Sequence, residues 1–389
     1  MKFCFLFQMN VFLTMNMIYS SSTYEVGVDY HAYGTNFTET VFLTRYHNSS
    51  IRSIVPVQLQ GMADRGANFV TLDIWIGFEP GRITDPYWMV TFPISEQEKK
   101  NLHQYTEDVA SIQSKVDGHR LRLNIALFWA GAAFYRTGNI TIGFGPDHLN
   151  ATDFTRRVEA TTDSIISAIS NVRRPDNVLV VQTVYLDFEV AIGTKPNQDW
   201  FLITHYPRFI DTITTAGFTP SIYFWAFVRE DVILNTNYID PQYHALDGHE
   251  SMYFIYRSLN FLKEQKLPFP QRIDFSCYID RNMSTYANLT NHILNDADAS
   301  LSFLGAPKFY GIAETYYFAN DTQRKEYGQA FALEAMKNTR LNHLRFWTTP
   351  DAGGKGVHIA YPFAIEDYLL PSRHVKTNEI VFHKNLTVG

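Results

Sequence analysis

Cysteine is scarce. The chain has 389 residues and two cysteines, Cys4 and Cys277. Cys4 sits in an N-terminal stretch that reads as removable, which leaves one thiol. That excludes an intramolecular disulfide and any zinc site built on cysteine. Long apolar runs are also lacking. After the N-terminus, no stretch supplies the roughly 20 apolar residues needed to span a bilayer. Charge of one sign is not concentrated anywhere. With 33 Lys and Arg against 39 Asp and Glu, the net charge is −6, and no basic block suggests nucleic acid as a partner. The glycine-rich loops of nucleotide sites, the GxSxG elbow and the HExxH metal motif are all missing. No metal and no cofactor is therefore expected.

Aromatic residues are plentiful at 15%, with 23 Tyr and 30 Phe. The first residues, MKFCFLFQMNVFLTMNMIYSSS, place Lys2 before an apolar stretch that ends in small polar residues. This is the layout of a secretory signal peptide, assigned to residues 1–22. Eight Asn-x-Ser/Thr triplets, at Asn36, Asn48, Asn139, Asn150, Asn282, Asn288, Asn320 and Asn385, fit a secreted glycoprotein. The expected localisation is extracellular. The expected state is a monomer with no membrane span once the signal is removed.

Strand-like runs alternate with stretches of helical spacing eight times. The runs are 26–33, 68–76, 120–129, 177–190, 218–227, 271–280, 307–317 and 343–349. Helices are predicted over about 51–65, 95–117, 153–171, 199–216, 249–265, 285–303 and 321–340, with a shorter one near 362–370. Ser95 with Glu98 has capping-box spacing, and Asp153 and Asn320 are candidate N-caps. Gly66 and Gly217 fall where a left-handed residue closes a helix. Alternation of this kind makes parallel strands joined by crossover helices. Eight units in one chain of this length predict an α/β fold, a (β/α)8 barrel in a single domain over 23–371, followed by a tail over 372–389. An open doubly wound sheet is the competing arrangement.

In such a barrel the strand ends converge on one pocket. Run four ends in Asp187 and Glu189, one residue apart and so on one face of a strand. Other candidates at run ends are Asp73, Trp75, Trp129, Trp225, Tyr278, Asp280, Glu314, Tyr316 and Trp347. Indole faces stack on sugar rings, and carboxylates and phenols bind sugar hydroxyls. The expected partner is a carbohydrate. Cleaving a glycosidic bond takes two flanking carboxyl groups.

The stretch GIAETYYFANDTQRKEYGQAFALEAMKNTRLNHLRFWTTPDAGG resembles the C-terminal third of the barrel-fold retaining β-glycosidases, the cellulase and mannanase clan. GANFVTLDIWI is similar to that clan's second strand. The resemblance implies Glu189 as acid/base, Glu314 as nucleophile and Trp347 as a sugar platform. Asp187 would tune Glu189, and Asp73, Trp75, Trp129, Trp225, Tyr278 and Tyr316 would line the subsites. Phe188 stands where the clan has Asn. The LDFE end of run four is also similar to the Asp-x-Glu strand of chitinases and lysozymes with irregular barrels, and CYID to the chitinase Tyr-Asp pair. That likeness implies a hydrolase working through Asp187 and Glu189. A non-catalytic barrel that binds glycans or proteins is the third reading.

Overall fold

The structure is a computed structural model. It describes residues 25–30, 41–64, 66–76, 93–128, 151–188, 195–224, 227–228, 259–279, 302, 310–314 and 341–346. The strands are β1 (Glu25–Asp29), β2 (Phe69–Trp75), β3 (Arg122–Phe128), β4 (Val181–Phe188), β5 (Thr219–Phe224), β6 (Phe227–Val228), β7 (Arg272–Ile279), β8 (Tyr310–Glu314) and β9 (Leu341–Phe346). The helices are α1 (Val41–Thr44), α2 (Ser49–Asp64), α3 (Glu96–Ser111), α4 (Ala151–Ile169) and α5 (Lys195–Thr215). Residues 259–264 are also helical.

Every strand pairing is parallel, and the pairings close on themselves. β1 pairs with β2 on one side and β9 on the other, while β5 pairs with β7. β6 lies further along β7, in the line of β5, so β5 and β6 together fill one position of an eight-position ring. A closed ring leaves no edge strand with unpaired backbone. All eight predicted strand runs contain a strand among the described residues.

The helices follow their caps. Ser95 and Glu98 form the capping box at the start of α3, with Ser95 N donating to Glu98 Oε2 at 2.8 Å. Gly66 and Gly217 take φ of 115° and 84°. After each, the next amide bonds back across the turn, Ala67 N to Met62 O at 3.0 Å and Phe218 N to Ile213 O at 3.1 Å. Asp153 is not an N-cap: α4 begins at Ala151 and takes Asp153 into its first turn. The helix predicted to 117 stops at Ser111, because residues 113–120 fold into a small antiparallel turn in which Gln113 bridges Arg120 and Gly118 takes φ of 74°. The helix predicted over 249–265 is described only at 259–264, and those over 285–303, 321–340 and 362–370 lie outside the described residues apart from 302.

Alternation along the strands divides the core in two. Val70, Leu72, Ile74, Leu123, Ile125, Leu127, Val184, Leu186 and Ile222 are all buried and form one file per strand. They meet helix residues at helical spacing, such as Ile51, Val55 and Leu59 of α2 and Leu102, Tyr105 and Val109 of α3. The hydrophobic core is this jacket between strands and helices. The opposite file, inside the ring, carries Phe69, Thr71, Asn124, Thr183, Tyr185, Ser221, Tyr223, Asp274, His343 and Arg345. The barrel interior is thus polar and aromatic, where branched aliphatics usually dominate.

Gly27 makes room for this filling. A Cβ there would stand 2.4 Å from the Phe69 carbonyl oxygen and 2.5 Å from its ring. Between α4, α5 and β4, His205 is buried in the wall of a small cavity with Val158, Leu186 and Phe209. Burial, assisted by Arg208, lowers its pKa to about 4.

Gly27→Ala should cost about 3 kcal/mol or more, because the clash is with backbone as well as side chain; a urea unfolding midpoint checks it. His205 stays neutral in the fold, while the unfolded chain takes up a proton below about pH 6.5. Its contribution is therefore complete above that pH and falls away toward pH 4, by on the order of 2–3 kcal/mol. His205→Leu should flatten that part of the stability curve.

Candidate functional site

The interior is built in layers, because the tilt of closed strands brings alternate strands to one level. At the bottom, Glu25 of β1 is held between two arginines. Arg122 Nη1 donates to Glu25 Oε1 at 2.5 Å, Arg272 Nη1 approaches Oε2 at 3.5 Å, and Gln182 Nε2 donates to Oε1 at 3.1 Å. Above them, Arg272 Nε donates to Asp274 Oδ1 at 2.9 Å. His343 Nδ1 lies 3.0 Å from Asp274 Oδ2, close enough for an ion pair but out of line for a hydrogen bond. The His343 ring stacks on Phe69 at 4.0 Å. Burial opposes the Arg272 charge, but Asp274, Tyr185 and Glu25 outweigh it and push its pKa above the ordinary value.

The next layers carry Arg345, Tyr185 and Tyr223. Arg345 is 1% exposed, with its guanidinium carbon 4.0 Å over the Tyr223 ring and 5.5 Å from that of Tyr185. Both distances are in the range of cation–π attraction. The strand registers then bring Asp73 of β2 and Asp187 of β4 to one level above Arg345: Asp73 pairs with Ala126, Ala126 with Tyr185, and Phe128 with Asp187. This level is at the C-terminal end of the barrel, where sites of this architecture form.

Asp73 is the acid of the mouth whose side chain is described. The residue is partly exposed, but its Oδ1 is enclosed and takes no hydrogen bond from the described residues. Burial raises its pKa to about 6, and the charge of Arg345 opposes the rise.

The other sequence candidates divide by placement. Trp75 ends β2 one step above Asp73 on the same file, and Tyr278 is near the end of β7 in register with Phe227. Asp187 is the penultimate residue of β4, on the file of Thr183 and Tyr185. Glu314 ends β8 in register with Cys277 and Phe346. Its backbone position belongs to the file of Leu344, and the file of Arg345 continues through Ala313. Glu189, Trp129, Trp225, Asp280, Tyr316 and Trp347 lie outside the described residues.

Sequence reading passed over Glu25, Arg122, Arg272, Asp274, His343 and Arg345. A signal was present. Arg272 and Asp274, and His343 and Arg345, are charged or titratable pairs two apart inside strand runs, the same spacing that drew attention to Asp187 and Glu189. Among the described residues, no group of three or more His, Cys, Asp or Glu could hold a metal ion, and no helix is long and apolar enough to cross a membrane.

No protein-family model and no curated protein matches the chain. Solved structures do. The chain is similar to GH5_18 from Streptomyces cattleya in complex with GlcNAc, at 10% identity over 90% of this chain and 81% of that one, with a TM-score of 0.50. It is equally similar to GH5_18 from Bifidobacterium longum subsp. longum, at 11% identity over 90% of this chain and 79% of that one, with a TM-score of 0.50. A variant of the latter was solved with Manβ1-4GlcNAc. The fold is the (β/α)8 barrel. At such identities the likeness to these glycoside hydrolases is one of fold, and it agrees with the closed ring of parallel strands.

The raised pKa of Asp73 sets a sign. Its ordinary value is 3.8, so between about pH 4 and pH 6 the folded barrel holds a proton that the unfolded chain has lost. Stability due to this group therefore falls as pH rises through that window, opposite in sense to His205. Asp73→Asn should remove the fall and gain about 2 kcal/mol at pH 7, after allowance for partial exposure. Unfolding midpoints of the variant and parent at pH 4 and pH 7 check it.

Proposed function

We propose that this barrel is a glycoside hydrolase that cleaves a β-linked oligo- or polysaccharide with two carboxyl groups. The observation that carries the reading is the acid level at the C-terminal mouth. Asp73 and Asp187 share it, and Glu189 follows two residues beyond Asp187. The fold shared with glycoside hydrolases supports the same reading. In this mechanism Glu189 gives its proton to the leaving-group oxygen as the glycosidic bond breaks, and Glu314 attacks the anomeric carbon. Water then releases the sugar from Glu314, and Glu189 takes back a proton. Asp187 tunes Glu189 through like charge, which favours the protonated acid. Trp75, Trp129, Trp225, Tyr278, Tyr316 and Trp347 supply the aromatic subsites, and Asp73 binds a sugar hydroxyl.

One observation favours a second arrangement. Asp187 lies on the inward file of β4, whereas the backbone of Glu314 is on the alternate file of β8. That supports a site in which Asp187 and Glu189 work together and Glu314 takes no chemical part. The chain is read as a secreted, glycosylated monomer. Asn48, an exposed sequon asparagine just before α2, is accessible for a glycan.

Glu189→Gln should lower the turnover of a β-glycan by at least about 10²-fold while binding persists, as expected for loss of a general acid. Glu314→Gln should do the same in the first arrangement and leave turnover unchanged in the second. Release of reducing sugar, measured beside oligosaccharide binding, decides. A wild-type protein that binds oligosaccharide and releases none is a binding barrel, and the hydrolase reading is then lost.

A further inference from the structure

We propose that the barrel interior is a closed water-binding site: about two buried waters bridge Thr71, Asn124 and Thr183 on one wall to His343, Asp274 and Arg272 on the other.

The six residues form one continuous polar network. Thr71, Asn124 and Thr183 are register partners on β2, β3 and β4, and all three are buried on the inward file. From Asn124 the network crosses the ring. Asn124 Nδ2 lies 3.5 Å from His343 Nε2, His343 Nδ1 lies 3.0 Å from Asp274 Oδ2, and Arg272 Nε donates to Asp274 Oδ1 at 2.9 Å. Each residue keeps one enclosed polar atom that makes no hydrogen bond to the described residues. These are Thr71 Oγ1, Asn124 Oδ1, Thr183 Oγ1, His343 Nδ1, Asp274 Oδ2 and Arg272 Nη2. One such atom is costly, and a cluster of them requires a shared partner.

Their mixture decides what that partner is. Arg272 Nη2 can only donate, so it needs an acceptor, and its charge repels a cation. Asp274 Oδ2 and Asn124 Oδ1 accept, so they need a donor, and the Asp274 charge repels an anion. The two Thr hydroxyls serve either way. Water donates and accepts at once. A buried water makes about three hydrogen bonds, so these atoms suit about two. Among the described residues, no group of His, Cys, Asp or Glu here could hold a metal ion.

Room and closure come from the neighbouring positions. Thr71, Thr183 and Ser221 place short side chains on this part of the interior. β8 contributes Gly311 at the register of both Asp274 and His343. Branched aliphatics at these positions would fill the same space. Arg345, Tyr185 and Tyr223 are buried in the layers above. Below, Glu25 is held by Arg122 and Arg272. Waters between these layers are sealed from the mouth and exchange slowly with bulk.

The test uses the full chain. Oxygen-17 magnetic relaxation dispersion counts waters held for long times inside a protein. A double variant, Thr71→Val with Thr183→Val, keeps the side-chain shape and removes two of the partners. Its count should fall by at least one from the parent. The pair Thr71→Ser with Thr183→Ser keeps both hydroxyls, and its count should not fall. An unchanged count in the folded valine variant overturns the proposal. If that variant does not fold, a crystal structure of the parent decides. Ordered water within hydrogen-bond distance of Asp274 Oδ2 and Arg272 Nη2 upholds the site, and a dry cluster overturns it. An anomalous peak there after a rubidium or bromide soak shows an ion in place of water and overturns it equally.

Discussion

The ion network inside the barrel is the constraint on which the rest depends. Glu25 is shared by Arg122 and Arg272, and Arg272 is shared in turn by Asp274. The Arg272–Asp274 pair is the most enclosed of these, and removing one partner of a buried pair leaves an uncompensated charge and costs about 3–5 kcal/mol. These residues come from β1, β3 and β7, which are far apart in sequence. Their pairing therefore requires the ring to close in one register. A slip of one residue on any of the three strands would turn its charge into the apolar jacket. The network contributes specificity of register more than net stability, since an apolar filling of similar volume can be as stable.

The jacket and the filling divide the work. Apolar burial between strands and helices drives assembly and is indifferent to chemistry. The interior then grades from an ion-paired floor, through the aromatic shelf of Tyr185 and Tyr223, to the acids of the mouth. Arg345 is at the hinge of this gradient. Its charge is set on aromatic faces, with the carboxyl of Asp73 within its electrostatic reach. A permanent cation there lowers the cost of holding several acids close together in a mouth of low dielectric, which a two-carboxylate mechanism needs.

Much of this was legible in the chain. Short β-rich runs alternating with helical spacing marked all eight strand positions, and Ser95, Gly66 and Gly217 marked helix ends by local chemistry alone. Asp187 and Asp73 could be placed at strand ends because side-chain direction follows from the strand period. Two boundaries misled for local reasons. The apolar spacing of α3 runs on past Ser111, but Gly118 and the Gln113–Arg120 bridge favour a turn. Asp153 has the chemistry of a cap, yet α4 takes up an extra half-turn before it.

The sequence by itself determined the alternation of strand and helix, and with it the architecture, because hydrophobic period is a local property written residue by residue. It also determined that acids and aromatics fall at strand ends. The tertiary structure alone decided which residues meet across the ring, since that depends on register summed around eight strand positions. Only closure reveals that Glu25 answers Arg122 and Arg272, that Arg345 lies under Asp73 and Asp187, and that Glu314 follows the file of Leu344.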